Sequence, residues 1–196
     1  MDVDQDPDRP DDPDAALVEQ ARLSLSGDTR AFDELVARHR RRVIANCRYL
    51  ASADEAEDLA QEVLVKAYFA LRRYERRSKF STWLYRIKVN HCLNHRRAAK
   101  KHDGDVALDD AAPDAAALQV APEAEAALEQ QADVSRVRAA VARLSDTLRV
   151  PLVMRELDEM SYEEIAAAIG ISLSAVKMRI LRARQELRQA LGGVDG

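Results

Sequence analysis

The stretch from Ser161 to Arg188 constrains the fold most, because its pattern predicts two short helices joined by a tight turn. Ser161 and Glu164 have the spacing of a capping box, in which each side chain satisfies a backbone donor of the other residue. Apolar residues then recur at helical spacing until Gly170, which suits the left-handed residue that ends a helix. Ser172 can cap the second helix. The sequence therefore predicts a helix-turn-helix in this stretch.

The second helix of this motif has an apolar side and a polar, basic side. Its apolar stripe consists of Val176, Ile180, Ala183 and Leu187. Its opposite side carries Ser174, Lys177, Met178, Leu181, Arg182 and Gln185. The whole chain has a formal net charge of −4, so this positive surface is local and does not follow from composition. The layout suits a recognition helix that enters a DNA major groove, although a helical hairpin with a solvated basic face would share it.

The composition favours an all-α protein. Of 196 residues, nearly half are hydrophobic but only 5% are aromatic, and there are six glycines and six prolines. No apolar run approaches the roughly 18 residues that span a bilayer, and the acidic start does not resemble a signal peptide. We therefore expect a cytoplasmic protein without membrane insertion. Cys47 and Cys92 are expected to be buried thiols, and neither pairs with histidines at the spacing of a metal site.

Shifts in composition divide the chain into two helical domains. Residues 1–14 are mostly aspartate and proline and are predicted to form a disordered acidic tail. A first helical domain is predicted at 15–102 and a second at 123–191, followed by a short tail at 192–196. Residues 103–122 contain no lysine or arginine and are predicted to be a flexible acidic linker.

A helix predicted at 53–73 carries a polar ridge opposite its apolar stripe. The ridge consists of Asp58, Gln61, Glu62 and Lys66. Taken alone, such a ridge is most simply a solvated helix face.

The stretch from Arg72 to Lys101 combines positive charge with aromatic side chains. It holds eleven basic residues and a single acid, Glu75. Its aromatic residues are Tyr74, Phe80, Trp83 and Tyr85. This mixture suits a strand-separated nucleic acid, whose bases stack on aromatic faces while cations contact the phosphates. The alternative is that Phe80 and Trp83 belong to the core beside a basic rim.

Three motifs, in this order, resemble the bacterial extracytoplasmic-function (ECF) sigma factors, the compact type with two sigma domains. The motifs are AEDLAQEVLVKAY (56–68), KFSTWLYRIKVNHCLNHRR (79–97) and LRVPLVMRELDEMSYEEIAAAIGISLSAVKMRILRARQEL (148–187). The resemblance spans about residues 16–191. It implies a non-enzymatic subunit that binds core RNA polymerase through the β′ clamp helices and the β flap. It also implies recognition of minus-35 duplex and melted minus-10 DNA, a possible anti-sigma partner, and a role in a stress response.

The resemblance also implies roles for individual residues. Core polymerase would be bound by Asp58, Gln61, Glu62 and Lys66. The minus-10 element would be bound and melted by Tyr74, Arg76, Arg77, Lys79, Phe80, Thr82, Trp83, Arg86 and Asn90. The minus-35 element would be bound by Ser174, Lys177, Met178, Arg179, Leu181, Arg182 and Arg184. Among these, the Asn90 amide is suited to reading an extruded base, while Arg179 and Arg184 are expected to contact phosphates.

Two features depart from the family pattern. Met178 stands where small hydroxyl residues are frequent, which affects the expected minus-35 preference, and the loop ERRSK (75–79) is unusually basic. A second class stays open at this point, namely a helix-turn-helix regulator that binds duplex DNA only. Such a regulator has no need of the aromatic, basic stretch around Trp83. No cofactor or catalytic residue is expected, because there is no glycine-rich phosphate loop and no nucleophile motif.

Overall fold

The computed structural model describes residues 11–24, 27–102 and 122–192. All regular secondary structure within these ranges is helical, which confirms the all-α prediction. The first domain consists of α1 (Ala15–Ser24), α2 (Arg30–Leu50), α3 (Ala56–Ala70), a 3-10 turn (Leu71–Arg73) and α4 (Phe80–His102). The second consists of α5 (Pro122–Arg143), α6 (Asp146–Glu156), α7 (Tyr162–Ile169) and α8 (Leu173–Gly192). Most of the predicted linker and tails lies outside the described residues.

The first domain is built from helices whose apolar stripes face one another. On α2 the buried positions include Phe32, Leu35, Val43 and Leu50, and on α3 they include Leu59, Val63 and Ala67. This spacing places one side of each helix in the core and leaves the other for charged residues. Cys47 on α2 and Cys92 on α4 are buried free thiols, and their sulfurs are 3.6 Å apart. Their burial agrees with the expectation from the sequence.

Residues assigned by sequence to the acidic tail make defined contacts with this domain. The Asp12 carboxylate accepts a hydrogen bond from the backbone N–H of Phe80 at 2.7 Å, at the first residue of α4. The buried Asp14 carboxylate lies 2.7 Å from Nε2 of His39 and 3.2 Å from Nη1 of Arg38. Asp12 and Asp14, at the end of the predicted tail, therefore contact α2 and α4 of the first domain.

The second domain contains the predicted helix-turn-helix, formed by α7 and α8. Ser161 Oγ accepts from the Glu164 N–H at 3.1 Å, and Glu164 accepts from the Ser161 N–H at 2.9 Å, which completes the capping box. Gly170 ends α7 with φ +69°, a conformation that side chains disfavour. Ile165, Val176 and Ile180 are buried and hold the two helices together.

The two domains pack against each other in the structure. Helices α2 and α4 of the first domain contact α5, α6 and α7 of the second. The buried apolar residues of both form one continuous cluster. No helix in the described ranges combines the length and apolarity that crossing a membrane requires.

Candidate nucleic-acid and polymerase interfaces

An aromatic cluster connects the basic loop to the start of α4. The ring centroids of Tyr74 and Trp83 are 5.0 Å apart, and those of Phe80 and Trp83 are 5.5 Å apart. Tyr74 and Phe80 are buried, at 3% and 2% exposure, whereas Trp83 keeps part of its surface. The Tyr74 hydroxyl donates a hydrogen bond to the carbonyl of Ser78. Burial raises the pKa of this hydroxyl well above the ordinary value for tyrosine. Two of the three rings therefore anchor the loop, and Trp83 is the one that stays partly exposed.

The cations of the basic loop differ in how far they are already paired. Arg77 is exposed and lies 2.8 Å from Glu75. Arg76 has a left-handed backbone, with φ +58°, and its guanidinium lies 3.7 Å from Glu19. Lys79 donates to Glu164 of the second domain at 2.9 Å, and this contact raises the pKa of Lys79. Of these three cations only Arg77 is largely exposed, and its partner Glu75 belongs to the same loop.

The side of α4 that carries Arg86 and Asn90 lies towards the second domain. Arg86 donates to the carbonyls of Ala167 and Ala168 at 2.9 and 3.1 Å. Asn90 lies one turn further along α4 and is exposed. Its side chain makes no hydrogen bond with any residue in the described ranges. It lines a cleft of about 440 Å³ between α4 and the helices α6–α8. Thr82, in contrast, is buried at 7% exposure.

The recognition helix α8 exposes most of the residues predicted for the minus-35 element. The exposed residues are Ser174, Lys177, Met178, Leu181, Arg182 and Arg184. Arg179 is half-buried and lines the interdomain cleft. Arg184 makes an ion pair with Glu156 of α6 at 2.6 Å, which raises its pKa. Arg184 is thus engaged within its own domain, a contact that helical periodicity does not predict.

The polar ridge of α3 borders an apolar groove. Asp58, Gln61, Glu62 and Lys66 are all exposed. Beside them, Val65 and Phe69 are 49% and 74% exposed and line a groove of about 580 Å³ between α2 and α3. Sequence reasoning missed these two residues. The signal was available, because they lie four residues apart and off the buried stripe of α3.

The α3 ridge is also connected to α4 through a histidine. His91 of α4 lies 2.5 Å from the Lys66 amine and 3.0 Å from a Glu62 carboxylate oxygen. Burial, followed by the nearby Lys66 charge, lowers the pKa of His91. The ridge and the helix that carries Asn90 are therefore in direct contact.

The fold and these surfaces define a class of protein: a two-domain, all-helical DNA-binding protein with a helix-turn-helix and a second basic surface. Residues 35–102 match the Sigma-70 region 2 family, and residues 135–187 match Sigma-70 region 4. The RNA polymerase sigma-H factor of Pseudomonas aeruginosa is 36% identical over 184 residues, which cover 91% of this chain and 93% of that protein. The ECF RNA polymerase sigma-E factor of Escherichia coli K12 is 35% identical over 179 residues, covering 89% and 92%.

A solved structure agrees with the sequence comparisons. The sigma factor RpoE from Bartonella quintana, crystallised with the anti-sigma factor NepR, superposes with a TM-score of 0.64 at 25% identity, covering 84% of this chain and 98% of that chain. The chain belongs to the ECF family of RNA polymerase sigma factors. The match to region 2 spans the domain that a duplex-only regulator does not need, so that alternative is not favoured.

Proposed function

We propose that this protein is the promoter-recognition subunit of a bacterial RNA polymerase, that it recognises minus-35 and minus-10 elements, and that it promotes promoter melting at the minus-10 element. The observation that carries the proposal is the presence, in one chain, of the region 2 domain with its partly exposed Trp83 and the region 4 helix-turn-helix. Like other sigma factors it would act in the cytoplasm as a non-enzymatic initiation factor.

We place the polymerase contact on α3 and the adjoining groove. Asp58, Gln61, Glu62 and Lys66 supply a polar rim, and Val65 and Phe69 supply exposed apolar area beside it. An apolar centre with a charged rim is the usual anatomy of a protein interface. The β′ clamp helices would cover this surface, and the β flap would contact the second domain.

Promoter melting is assigned to the outer face of α4 and the loop before it. Extruding a base costs a few kcal/mol, and stacking it on one ring returns about 1–3 kcal/mol. Because Tyr74 and Phe80 are buried, stacking on Trp83 alone leaves the balance close to zero. The unpaired amide of Asn90 and phosphate contacts from Arg77, Lys79 and Arg86 would provide the remainder.

Minus-35 recognition is assigned to the exposed side of α8. Lys177 and Arg182 are suited to guanine O6 and N7, while Met178 and Leu181 are suited to thymine methyl groups. Arg179 would contact a phosphate, and Arg184 would do so after leaving Glu156. Since RpoE of Bartonella quintana was solved with an anti-sigma factor, we also propose that an anti-sigma protein controls this one.

Run-off transcription with purified core polymerase on a library of genomic fragments tests the function. We expect a set of promoters that fire only when this protein is added, with shared minus-35 and minus-10 sequences. Binding to duplex DNA without any protein-dependent transcript would contradict the proposal and return the chain to the class of duplex-only regulators.

A further inference from the structure

Glu62 and Lys66 lie four residues apart on α3, the spacing at which a glutamate and a lysine commonly form an ion pair on a helix surface. Both side chains are exposed, but in the described part of the chain they do not pair with each other. Each contacts a different ring nitrogen of His91 on α4. Nδ1 of His91 is 2.5 Å from the Lys66 amine, and Nε2 is 3.0 Å from Oε2 of Glu62. A residue of another helix therefore separates two charges that helical spacing would bring together.

The Lys66 amine determines which nitrogen of the His91 ring carries the proton. A lysine ammonium has three donors and no acceptor, so Nδ1 of His91 has to be the acceptor. The neutral ring then carries its proton on Nε2, the nitrogen that faces the Glu62 carboxylate. Nε2 is buried and the carboxylate lies off the ideal hydrogen-bond direction, but the exposed Glu62 side chain can rotate into line. The three side chains thus form a chain from Lys66 through His91 to Glu62.

The surroundings of His91 favour this neutral form. Its side chain is only 10% exposed. Burial is the main cause that lowers the pKa of His91, and the positive charge of Lys66 comes next. Glu62 opposes this shift, while His95 on α4 adds to it. Because the pKa lies below the ordinary histidine value of about 6.5, the ring is neutral at about pH 7.5 and adds no charge of its own.

A neutral bridge changes what the α3 ridge offers to a binding partner. In a direct ion pair, Glu62 and Lys66 would screen each other, and a partner would have to break the pair to reach either charge. The His91 ring instead holds both side chains apart, and both stay exposed. Ordering two long side chains before binding also removes part of the entropy cost that association otherwise carries. The ridge is therefore prepared to present one negative and one positive charge at separate points.

We propose that His91 is a positioning residue for polymerase binding, which holds Glu62 and Lys66 apart so that each charge meets its own partner group on the core enzyme. This inference rests on the proposed function, which places the polymerase contact on α3. His91 acts through its two neighbours, because its own side chain is largely enclosed between α3 and α4. The facing surface of the polymerase accordingly has to offer a cation to Glu62 and an anion or carbonyl group to Lys66.

The test compares His91→Ala and His91→Asn with the parent, using the full chain and purified core polymerase. The asparagine variant keeps an oxygen near the place of Nδ1, which can still accept a hydrogen bond from Lys66. His95→Ala is the matched control, since His95 lies one turn further along α4 and faces Glu55 at 3.5 Å instead of the ridge. The Kd for core polymerase is measured by biolayer interferometry, and urea denaturation shows that each variant is folded.

We expect His91→Ala to weaken core binding about two- to fivefold, the factor that corresponds to one exposed ion pair. His91→Asn should recover most of this loss, and His95→Ala should match the parent. Lys66→Ala should cost less in the His91→Ala background than in the parent, because both residues act through one contact. The positioning role is refuted if His91→Ala binds as the parent does, if His91→Asn is as weak as His91→Ala, or if His95→Ala loses as much.

A separate measurement distinguishes failure of this inference from failure of the proposed function. Long-range proton–nitrogen correlation spectra of the free protein at about pH 7.5, above the ordinary histidine pKa of about 6.5, report which ring nitrogen of His91 carries the proton. We expect the proton on Nε2, with Nδ1 unprotonated. A proton on Nδ1 refutes the bridge even if core polymerase binds. If the parent does not bind core polymerase at all, the proposed function fails, whereas the spectra still decide whether His91 accepts from Lys66.

Discussion

At the scale of single residues, Asn90 is the side chain on which the melting proposal depends most. It is exposed on α4 and has no hydrogen-bond partner in the described part of the chain, so its amide is available to a base edge. We expect Asn90→Ala to leave binding to a minus-35 duplex intact but to reduce opening of a duplex promoter and to remove a base preference on the non-template strand. Permanganate footprinting on duplex and pre-melted promoters measures this.

Asn94→Ala is the control, because Asn94 is an exposed amide one turn further along the same helix. It should open the promoter as the parent does. Equal opening by the Asn90 variant, with the same base preference, would falsify the assignment.

Asp12 shows how a residue remote in sequence stabilises the start of α4. Its carboxylate accepts from the first N–H of α4, which no intrahelical acceptor can satisfy. Losing a cap of this kind costs about 1 kcal/mol. We expect Asp12→Ala to lower the free energy of unfolding by about that amount, as measured by urea denaturation, and Asp12→Asn to retain most of it. Asp11→Ala, at an exposed neighbour, should have little effect, and a loss as large as for Asp12→Ala would exclude the capping role.

At the scale of elements, α3 combines a buried stripe with an exposed apolar pair beside a charged ridge. Burying a Phe side chain contributes about 1.5–3 kcal/mol, so Phe69→Ala should weaken binding to core polymerase by roughly tenfold or more. Because Phe69 is exposed in the free protein, stability should change by less than about 0.5 kcal/mol. Leu23→Ala is the control, since Leu23 is 77% exposed on α1 and does not line the groove. Core binding unchanged by Phe69→Ala would remove the groove from the interface.

On helix α8 the proposed function assigns base reading and general attraction to DNA to different residues. Arg182 is exposed on the side away from the buried Val176 and Ile180. We expect Arg182→Ala to cost about 1–3 kcal/mol on the best minus-35 site and to relax preference at one base pair, measured by binding selection from random duplexes. Arg188→Ala, at an exposed arginine nearer the end of α8, should retain the parent's preferences. Identical preferences for the Arg182 variant and the parent would mean that Arg182 does not read a base.

At the scale of the whole molecule, the paired thiols report on opening of the first domain. Cys47 and Cys92 are both fully buried, and their mutual hydrogen bond raises the pKa of Cys92 while it lowers the pKa of Cys47. Burial therefore has to protect both thiols, and a thiol without access to solvent reacts slowly. We expect modification by an aromatic disulfide reagent to be slow in the native protein and fast in denaturant. Fast native reaction would show that α2 and α4 separate far more readily than their packing implies.

Local chemistry explains why much of this protein could be predicted from its sequence. The capping box of Ser161 and Glu164, the turn at Gly170 and the apolar spacing of α8 involve residues a few positions apart. Such patterns determine helices and their exposed sides, because each is set by contacts within one or two turns. The motifs that resemble sigma factors have the same property, and the family matches agree with them.

Contacts between distant residues were decided only by the tertiary structure. Helical periodicity could not say which rings of the aromatic cluster are buried, and packing left Trp83 partly exposed while it enclosed Tyr74 and Phe80. The hydrogen bond between Lys79 and Glu164 joins residues 85 positions apart, and that between Phe80 and Asp12 joins residues 68 positions apart. The sequence by itself determined the helices, the helix-turn-helix and the basic surfaces, because each follows from near neighbours. Which cations stay free for DNA depended on how the two domains meet, since an acid from a remote segment leaves no periodic trace beside its partner.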